Sequence, residues 1–268
     1  MPVLLRPDGF VQIGWGPRRA VLVRTPSGLT TERLASLMRS IQSRISMDDL
    51  LDRAVEMGLA DKDQLVEVVH RLADANLVTR QARKSRGRSM RIRVHGDGPL
   101  SDVVVGALRC SGARVRHTSQ RGTTSADADL VVLTDYLDVE PALVSELHQT
   151  RTPHLLVRVR DGTGLIGPMV IPGVTSCLRC ADLHRIDNDS AWPAVSAQLR
   201  EAVGSADRAT VLATAALAVN QVDRVLRATR GTAPQPGPPP TLDTTLEIDV
   251  SANTIVARRW ARHPGCTC

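Results

Sequence analysis

The sequence predicts an α/β protein in two parts: a small β3α3 module of winged-helix-like outline, then a larger doubly wound α/β domain. Three observations predict it. Residues 1–26 hold three aliphatic runs broken by Pro7-Asp8-Gly9 and Gly16-Pro17, the punctuation of short strands. Residues 31–77 hold three stretches of helical periodicity, each opened by a residue suited to capping. From Met90 onward strand and helix patterns alternate, which is the βαβ rhythm of a doubly wound sheet.

In the first part, expected over residues 1–82, Val3–Arg6, Val11–Trp15 and Ala20–Arg24 are the strands, and Gly28 closes the run. Thr31 is the expected cap of the first helix, whose apolar positions Leu34, Leu37, Met38 and Ile41 recur at helical spacing. Ser46 with Asp49 resembles a capping box for the second helix, which carries Leu50, Leu51, Val55 and Met57. Asp61 with Gln64 does the same for the third, with Leu65, Val68, Val69 and Leu72 on its buried face. The basic run at 79–91, TRQARKSRGRSMR, reads as a solvated linker, with a surface for an acidic partner as the alternative.

In the second part, expected over residues 90–268, Met90–His95 is a β-branched strand and Ser101–Cys110 an amphipathic helix with Cys110 as a small core residue. Arg114–His117 is a second short strand. Leu130–Leu133 is nearly continuous in apolar residues, as strands buried on both faces of a parallel sheet are. Glu140–His148 is helical and Pro153–Val159 returns as a strand. Ala206–Ala228 is a long Ala-rich helix ended by the loop GTAPQPGPPP, and Thr245–Val250 and Thr254–Trp260 are the last strands.

The chain has 268 residues, 42% hydrophobic and 23% charged, enough for each part to bury its own core. No apolar run approaches the ~18 residues that span a bilayer. The opening MPVLLRPDGF lacks the basic and apolar regions of a secretory signal, so a cytoplasmic location without a membrane partner is expected. A net charge of +6 invites a nucleic-acid reading, a DNA-binding winged-helix regulator. Phe10, Trp15, Tyr136, Trp192 and Trp260 are too few aromatics for a base-stacking platform. Asp61, Asp63, Glu67 and Asp74 make the third helix a poor surface for a phosphate-lined groove. Nucleic acid is therefore a disfavoured partner.

Cys177-Leu178-Arg179-Cys180 is a C-x-x-C and Cys266-Thr267-Cys268 a C-x-C. Two close thiol pairs far apart in sequence can supply the four thiolates of a tetrahedral zinc site, and a reducing compartment favours metal over disulfides. A redox-active C-x-x-C would leave Cys266 and Cys268 unexplained; a chance cluster of thiols is the bland alternative. A closed four-cysteine site has no open position for water, so the expected zinc is structural and fastens the end of the chain to its body.

His95-Gly96-Asp97-Gly98-Pro99-Leu100 joins a strand to a helix and offers two glycines of a G-x-G-x-x-G fingerprint, with Ser101 where the third belongs. The next strand ends in Val115-Arg116-His117-Thr118, with no carboxylate for a ribose. Pro99 removes a backbone N–H from the place where phosphate would be cradled, and no lysine follows Lys84. Arginine substitutes for that lysine only at a geometric cost. Gly96 and Gly98 are thus expected to form a tight turn in a nucleotide-free sheet.

The stretch Ile166-Gly-Pro-Met-Val-Ile-Pro-Gly-Val-Thr-Ser-Cys-Leu-Arg-Cys180, with Asp182, His184, Arg185 and Ala191-Trp192-Pro193, resembles the ThiF-like domain of cyclodehydratase partner proteins. Those proteins serve the biosynthesis of thiazole/oxazole-modified peptides. The closing His263-Pro264-x-Cys266-x-Cys268 is similar to their terminus, and the N-terminal unit resembles, in outline only, the peptide-recognition module fused to them. The resemblance covers most of the chain. It implies a winged-helix-like module ahead of a Rossmann-like, ThiF/MoeB-type domain with a four-cysteine zinc site.

It also implies a protein that recruits rather than catalyses. In that family the module takes a precursor's leader peptide as an added strand beside its third helix. Carried over, the receiving edge is Ala20–Arg24, flanked by the Leu65–Leu72 helix, with Val21, Val23, Val66 and Arg71 lining the groove. The ThiF-like body would dock a YcaO-type cyclodehydratase, which binds ATP and does the chemistry. MoeB-type adenylating enzymes bind magnesium through an Asp at the end of the fourth strand, and Asp135 matches that position while the rest of the ATP site does not. Asp135 is thus a weak catalytic candidate that reads better as a strand-end turn residue. An ATP-dependent adenylyltransferase is the alternative from the enzyme class, and a homodimer is plausible because ThiF-like folds commonly pair.

Overall fold

The computed structural model describes residues 1–43, 45–75, 77–78, 89–119, 127–230 and 237–268. Most of the basic run, 79–88, and the start of the Pro/Gly loop, 231–236, lie outside the described residues. The chain divides into two compact units, Met1–Lys84 and Ser85–Gly231 with Gln235–Cys268.

In the first unit β1 (Val3–Leu5), β2 (Phe10–Ile13) and β3 (Val21–Arg24) form an antiparallel sheet in that order. Strand alternation turns Val3, Val11, Ile13 and Val23 inward and leaves Leu4 and Leu22 exposed. The helices α1 (Thr31–Ser40), α2 (Met47–Glu56) and α3 (Lys62–Asp74) complete one core through Leu34, Leu37, Met38, Leu50, Leu65 and Leu72. The cap of α1 is Thr30 and not Thr31: Thr30 keeps extended backbone and accepts the Arg33 N–H at 3.3 Å, whereas Thr31 is already helical. Ser46 and Asp61 cap α2 and α3 through the N–H groups of Asp49 and Asp63. Val55 faces solvent and Ala54 takes the buried place on α2.

The second unit contains β4 (Arg91–His95), α4 (Pro99–Arg109), β5 (Arg114–Thr118), β6 (Leu130–Thr134), α5 (Pro141–Gln149), β7 (His154–Arg160) and β8 (Thr163–Val170). It continues with α6 (Leu178–Asn188), α7 (Trp192–Leu199), α8 (Arg208–Arg230), β9 (Thr244–Asp249) and β10 (Thr254–Arg259). The sheet runs β10-β9-β8-β7-β6-β4-β5, with β5, β4, β6 and β7 parallel and β8, β9 and β10 antiparallel. All five residues of β6 are buried, as its unbroken apolar run requires. One face carries α4 and α8, packed through Leu100, Val104, Ala215 and Val222 on Ile92, Leu130 and Leu155. The other face carries α5 and α6 over Val131, Leu133 and Leu156.

Three further features depart from the sequence expectations. β8 was not anticipated, although Asp161-Gly162, both at positive φ (50° and 77°), is a strong two-residue hairpin signal between β7 and β8. The helices α6 and α7 were also not anticipated, because few of their residues are buried and the apolar period is weak. Cys110 is exposed, against the expectation of a core residue: α4 ends at Arg109, and its buried face closes with Leu108. No helix among the described residues is long and apolar enough to cross a membrane.

His154, fully buried at the start of β7, donates from Nδ1 to Thr152 O at 3.0 Å, and among the described residues its Nε2 has no partner. Burial lowers its pKa to about 4. An unfolded chain titrates histidine near 6.5, so below that pH the unfolded state binds the extra proton and stability falls with pH. The second unit is expected to lose about 2–3 kcal/mol through this residue between pH 7 and pH 4.5. Denaturant unfolding at both pH values checks this, and His154→Gln should flatten the slope.

Candidate functional site

The four cysteines meet. Cys177 ends the loop after β8 in extended backbone and caps α6, its Sγ accepting the Cys180 N–H at 3.4 Å. The C-x-x-C spacing therefore places both thiols in the first turn of one helix. The sulfur separations are 3.7 Å for Cys177–Cys180, 3.6 Å for Cys177–Cys266 and 3.5 Å for Cys180–Cys268. All four sulfurs lie within 4.8 Å of one another. Zn–S bonds of ~2.3 Å in a tetrahedron put sulfurs about 3.8 Å apart, whereas a disulfide needs ~2.05 Å. The set thus fits a four-thiolate metal site. Burial opposes ionisation of Cys180, but backbone donors and the neighbouring thiols outweigh it and bring its pKa to about 7; burial pushes Cys177 up.

The tail is also latched independently of the sulfurs. Arg262 donates to Gly173 O at 2.8 Å, and His184 Nε2 pairs with Ala261 O at 3.1 Å. His263 accepts the Gly265 N–H on Nδ1, which leaves its Nε2–H to donate to Asp187 at 2.8 Å. His184, Asp187 and His263 form a compact group, yet these bonds commit both His263 nitrogens to holding the chain.

At the glycine-rich turn, Asp135 decides the chemistry. It follows β6 in left-handed backbone (φ 67°) and is 1% exposed. Its carboxylate accepts the N–H of Leu100 at 3.0 Å and of Ser101 at 3.2 Å, the free donors at the N-terminus of α4. These donors are the ones a phosphate would use. A Cβ on Gly96 would lie 2.6 Å from Asp135 Oδ2, and one on Gly98 would lie 2.8 Å from Oδ1. The glycines therefore make room for a carboxylate of this chain. Ser101, in place of a third glycine, is fully buried and closes the turn by donating to Gly98 O at 2.7 Å and accepting the Gly98 N–H at 3.2 Å. Beyond the ends of β4, β6 and β7 a cavity of about 340 Å³ is lined by Asp97, Asp138, Glu140, Glu201, Arg200 and His95. Burial, then Arg93 and His117, lower the pKa of His95 to about 4, so near neutral pH it adds no positive charge.

In the first unit β3 is the outer strand of its sheet and α3 lies alongside it. Gln64 of α3 accepts the Ser27 N–H at 3.0 Å, and Arg71 Nη2 reaches Leu22 O at 3.5 Å. The Leu22 carbonyl thus points away from β2, along the open edge. Val21 and Val66 are half-buried and Arg71 is exposed. Val23, 1% exposed, belongs to the module core, so it forms the floor beneath that edge and not an open wall.

No protein-family model matches the chain, and no curated protein sequence matches it. Solved structures do. A heterocyclase in complex with substrate and cofactor matches with TM-score 0.65 at 16% identity, over 99% of this chain and 38% of that one. The heterocyclase TruD matches with TM-score 0.63 at 16% identity, over 99% and 41%. The microcin C7 biosynthetic enzyme MccB, in complex with N-formylated MccA, matches with TM-score 0.58 at 12% identity, over 99% and 96%. The fold is ThiF-like. The chain spans about two fifths of the length of the two heterocyclases and nearly all of MccB. Both the N-terminal β3α3 unit and the mixed sheet with its cysteine cluster lie within these matches.

Asp135→Ala would leave two buried N–H groups without an acceptor at the start of α4. It is expected to destabilise the second unit by about 2–4 kcal/mol, measurable by urea unfolding.

Proposed function

We propose that this chain is a non-catalytic scaffold that binds the leader peptide of a ribosomal precursor and presents it to a YcaO-type cyclodehydratase. The seat of Asp135 carries the reading: an internal carboxylate fills the anion site of α4, so the residues best placed to cradle a nucleotide are already satisfied. The carboxylate-rich cavity beside it disfavours phosphates for the same electrostatic reason. The open edge of β3 next to α3 suits an added peptide strand, with main-chain bonds for affinity and Val21, Val66 and Arg71 for selectivity. Likeness to a heterocyclase holding substrate and cofactor supports the choice of partner chemistry.

Leu22→Pro removes an outward-facing N–H from this edge without removing a bond to β2. With a leader peptide from a precursor encoded beside this gene, it is expected to weaken binding at least tenfold in fluorescence anisotropy. Unchanged binding in Leu22→Pro, or no binding by the wild-type chain, would overturn the reading. The adenylyltransferase alternative has in its favour that MccB has been solved with ATP. It requires ATP–pyrophosphate exchange that disappears in Asp135→Ala.

We further propose that Cys177, Cys180, Cys266 and Cys268 hold one structural zinc ion. Bound there, zinc would cross-link α6 to the segment after β10 and leave no open coordination position. The purified chain is expected to contain about one zinc per molecule by elemental analysis. Cys177→Ser should lower that content and destabilise the second unit by several kcal/mol. A metal-free chain of unchanged stability would sink the assignment.

A further inference from the structure

Arg158 sits on β7 with its side chain 8% exposed. Among the described residues its one hydrogen bond runs from Nη1 to Leu137 O, and its Nε is buried without a partner. The carboxylates nearby are committed elsewhere. Asp182 accepts from Arg185 at 2.8 Å and from Trp192 Nε1 at 3.2 Å. Asp138 accepts the Ser196 hydroxyl, and Glu247 pairs with Arg258 at 2.7 Å. Asp138 and Asp182 act on this guanidinium through space, but among the described residues neither hydrogen-bonds it. A buried guanidinium with an unsatisfied N–H is costly, so one left in this state points to an acceptor that completes it. Burial, with Arg185 and Arg160 adding to it, lowers the Arg158 pKa to about 10, and the opposing pull of Asp138 and Asp182 does not offset it.

Arg158 lines a cavity of about 50 Å³ between α5, α6 and the strands β7, β8 and β9. Its lining joins Arg158, Arg160 and Arg185 to the carboxylates of Asp138, Asp182 and Glu247 and to apolar side chains that include Leu165 and Trp260. Arg185 is held between two indole rings, 4.9 Å from the Trp192 centroid and 5.4 Å from that of Trp260. The space is too small for a nucleotide or a sugar. Asp138 and Asp182 at its margin disfavour a dianion, and a planar monoanion suits the fork of a guanidinium. We propose that this cavity binds a carboxylate carried on a short apolar stem, with Arg158 as its pairing cation. The proposal stands apart from the leader-peptide reading, which rests on the first unit. A free small acid and the terminal carboxylate of a peptide share this chemistry.

The test uses the full chain with Trp15→Phe, which removes the exposed indole of the first unit and leaves Trp192 and Trp260 as reporters. Sodium propionate is titrated at constant ionic strength, with propionamide and inorganic phosphate as controls, following tryptophan fluorescence and Tm. Propionate is expected to saturate and to bind at least about tenfold more tightly than either control. Arg158→Met keeps the volume and removes the charge. It should weaken propionate binding at least about tenfold without lowering the Tm of the free protein. Equal behaviour of propionate and propionamide, or wild-type propionate binding by Arg158→Met, overturns the site. Should Arg158→Met not fold, the wild-type comparison of propionate with propionamide decides alone. Trialanine and its C-terminal amide distinguish the sources: tighter binding of the acid tripeptide than of propionate assigns a peptide terminus, and weaker binding a free acid.

Discussion

The carboxylate of Asp135 on the first free N–H groups of α4 is the contact around which the second unit is arranged. It ties the end of β6 to the start of the helix that follows β4, the strand beside it. The close approach of Asp135 leaves room only for glycine at 98, and Thr134 together with Asp135 does the same at 96. The peptide groups flanking it extend the tie: Gly204 donates to Asp135 O at 3.0 Å, and Tyr136 bridges to Val203. One buried anion thus fixes the turn, the strand end and the segment leading into α8. Placed in the low-dielectric interior beside a helix N-terminus, it does structurally what a bound phosphate does in nucleotide-binding relatives of such folds.

A second tie acts at the other end of the sheet. The sulfur cluster and the hydrogen bonds of Arg262, His263 and His184 all fasten the segment after β10 to α6 and the loop before it. The helix α6 buries few residues of its own, so cross-links of this kind replace a broad apolar contact. The same helix supplies Asp182 and Arg185 to the wall of the small cavity around Arg158, which places the cysteine cluster and a candidate carboxylate site on one element. The first unit owes nothing to either tie; its three helices and three strands close a separate core of aliphatic side chains.

Much of this was legible in the residues. Aliphatic runs broken by Pro and Gly located β1, β2 and β3, helical periodicity located α1, α2 and α3, and the unbroken run Leu130–Leu133 marked a central strand. The cysteine spacing pointed to a shared site because few other arrangements explain two thiol pairs so far apart. The loss of a third glycine and of a ribose carboxylate argued against a nucleotide, and the occupied N-terminus of α4 gives that loss its physical form. Other parts escaped. Asp161-Gly162 carries the local signal of a hairpin, whereas α6 and α7 have too weak an apolar period to read. The cap at Thr30 was misplaced by one residue because Thr30 and Thr31 have the same capping chemistry, and only backbone geometry separates them.

Most local elements, and the grouping of four cysteines as one candidate ligand set, could be read from the residues alone, since they depend on neighbours within a few positions or on side-chain chemistry. The placement of the charges came from long-range packing. Asp135 could have faced solvent, Arg158 could have met Asp138 or Asp182, and Val23 could have lined an open groove. Long-range packing brought Asp135 to a helix 34 residues away in sequence, left the buried Arg158 Nε without a partner among the described residues and sank Val23 into the core. The energy of a buried charge depends on every group that surrounds it, and no spacing in the chain records that surrounding.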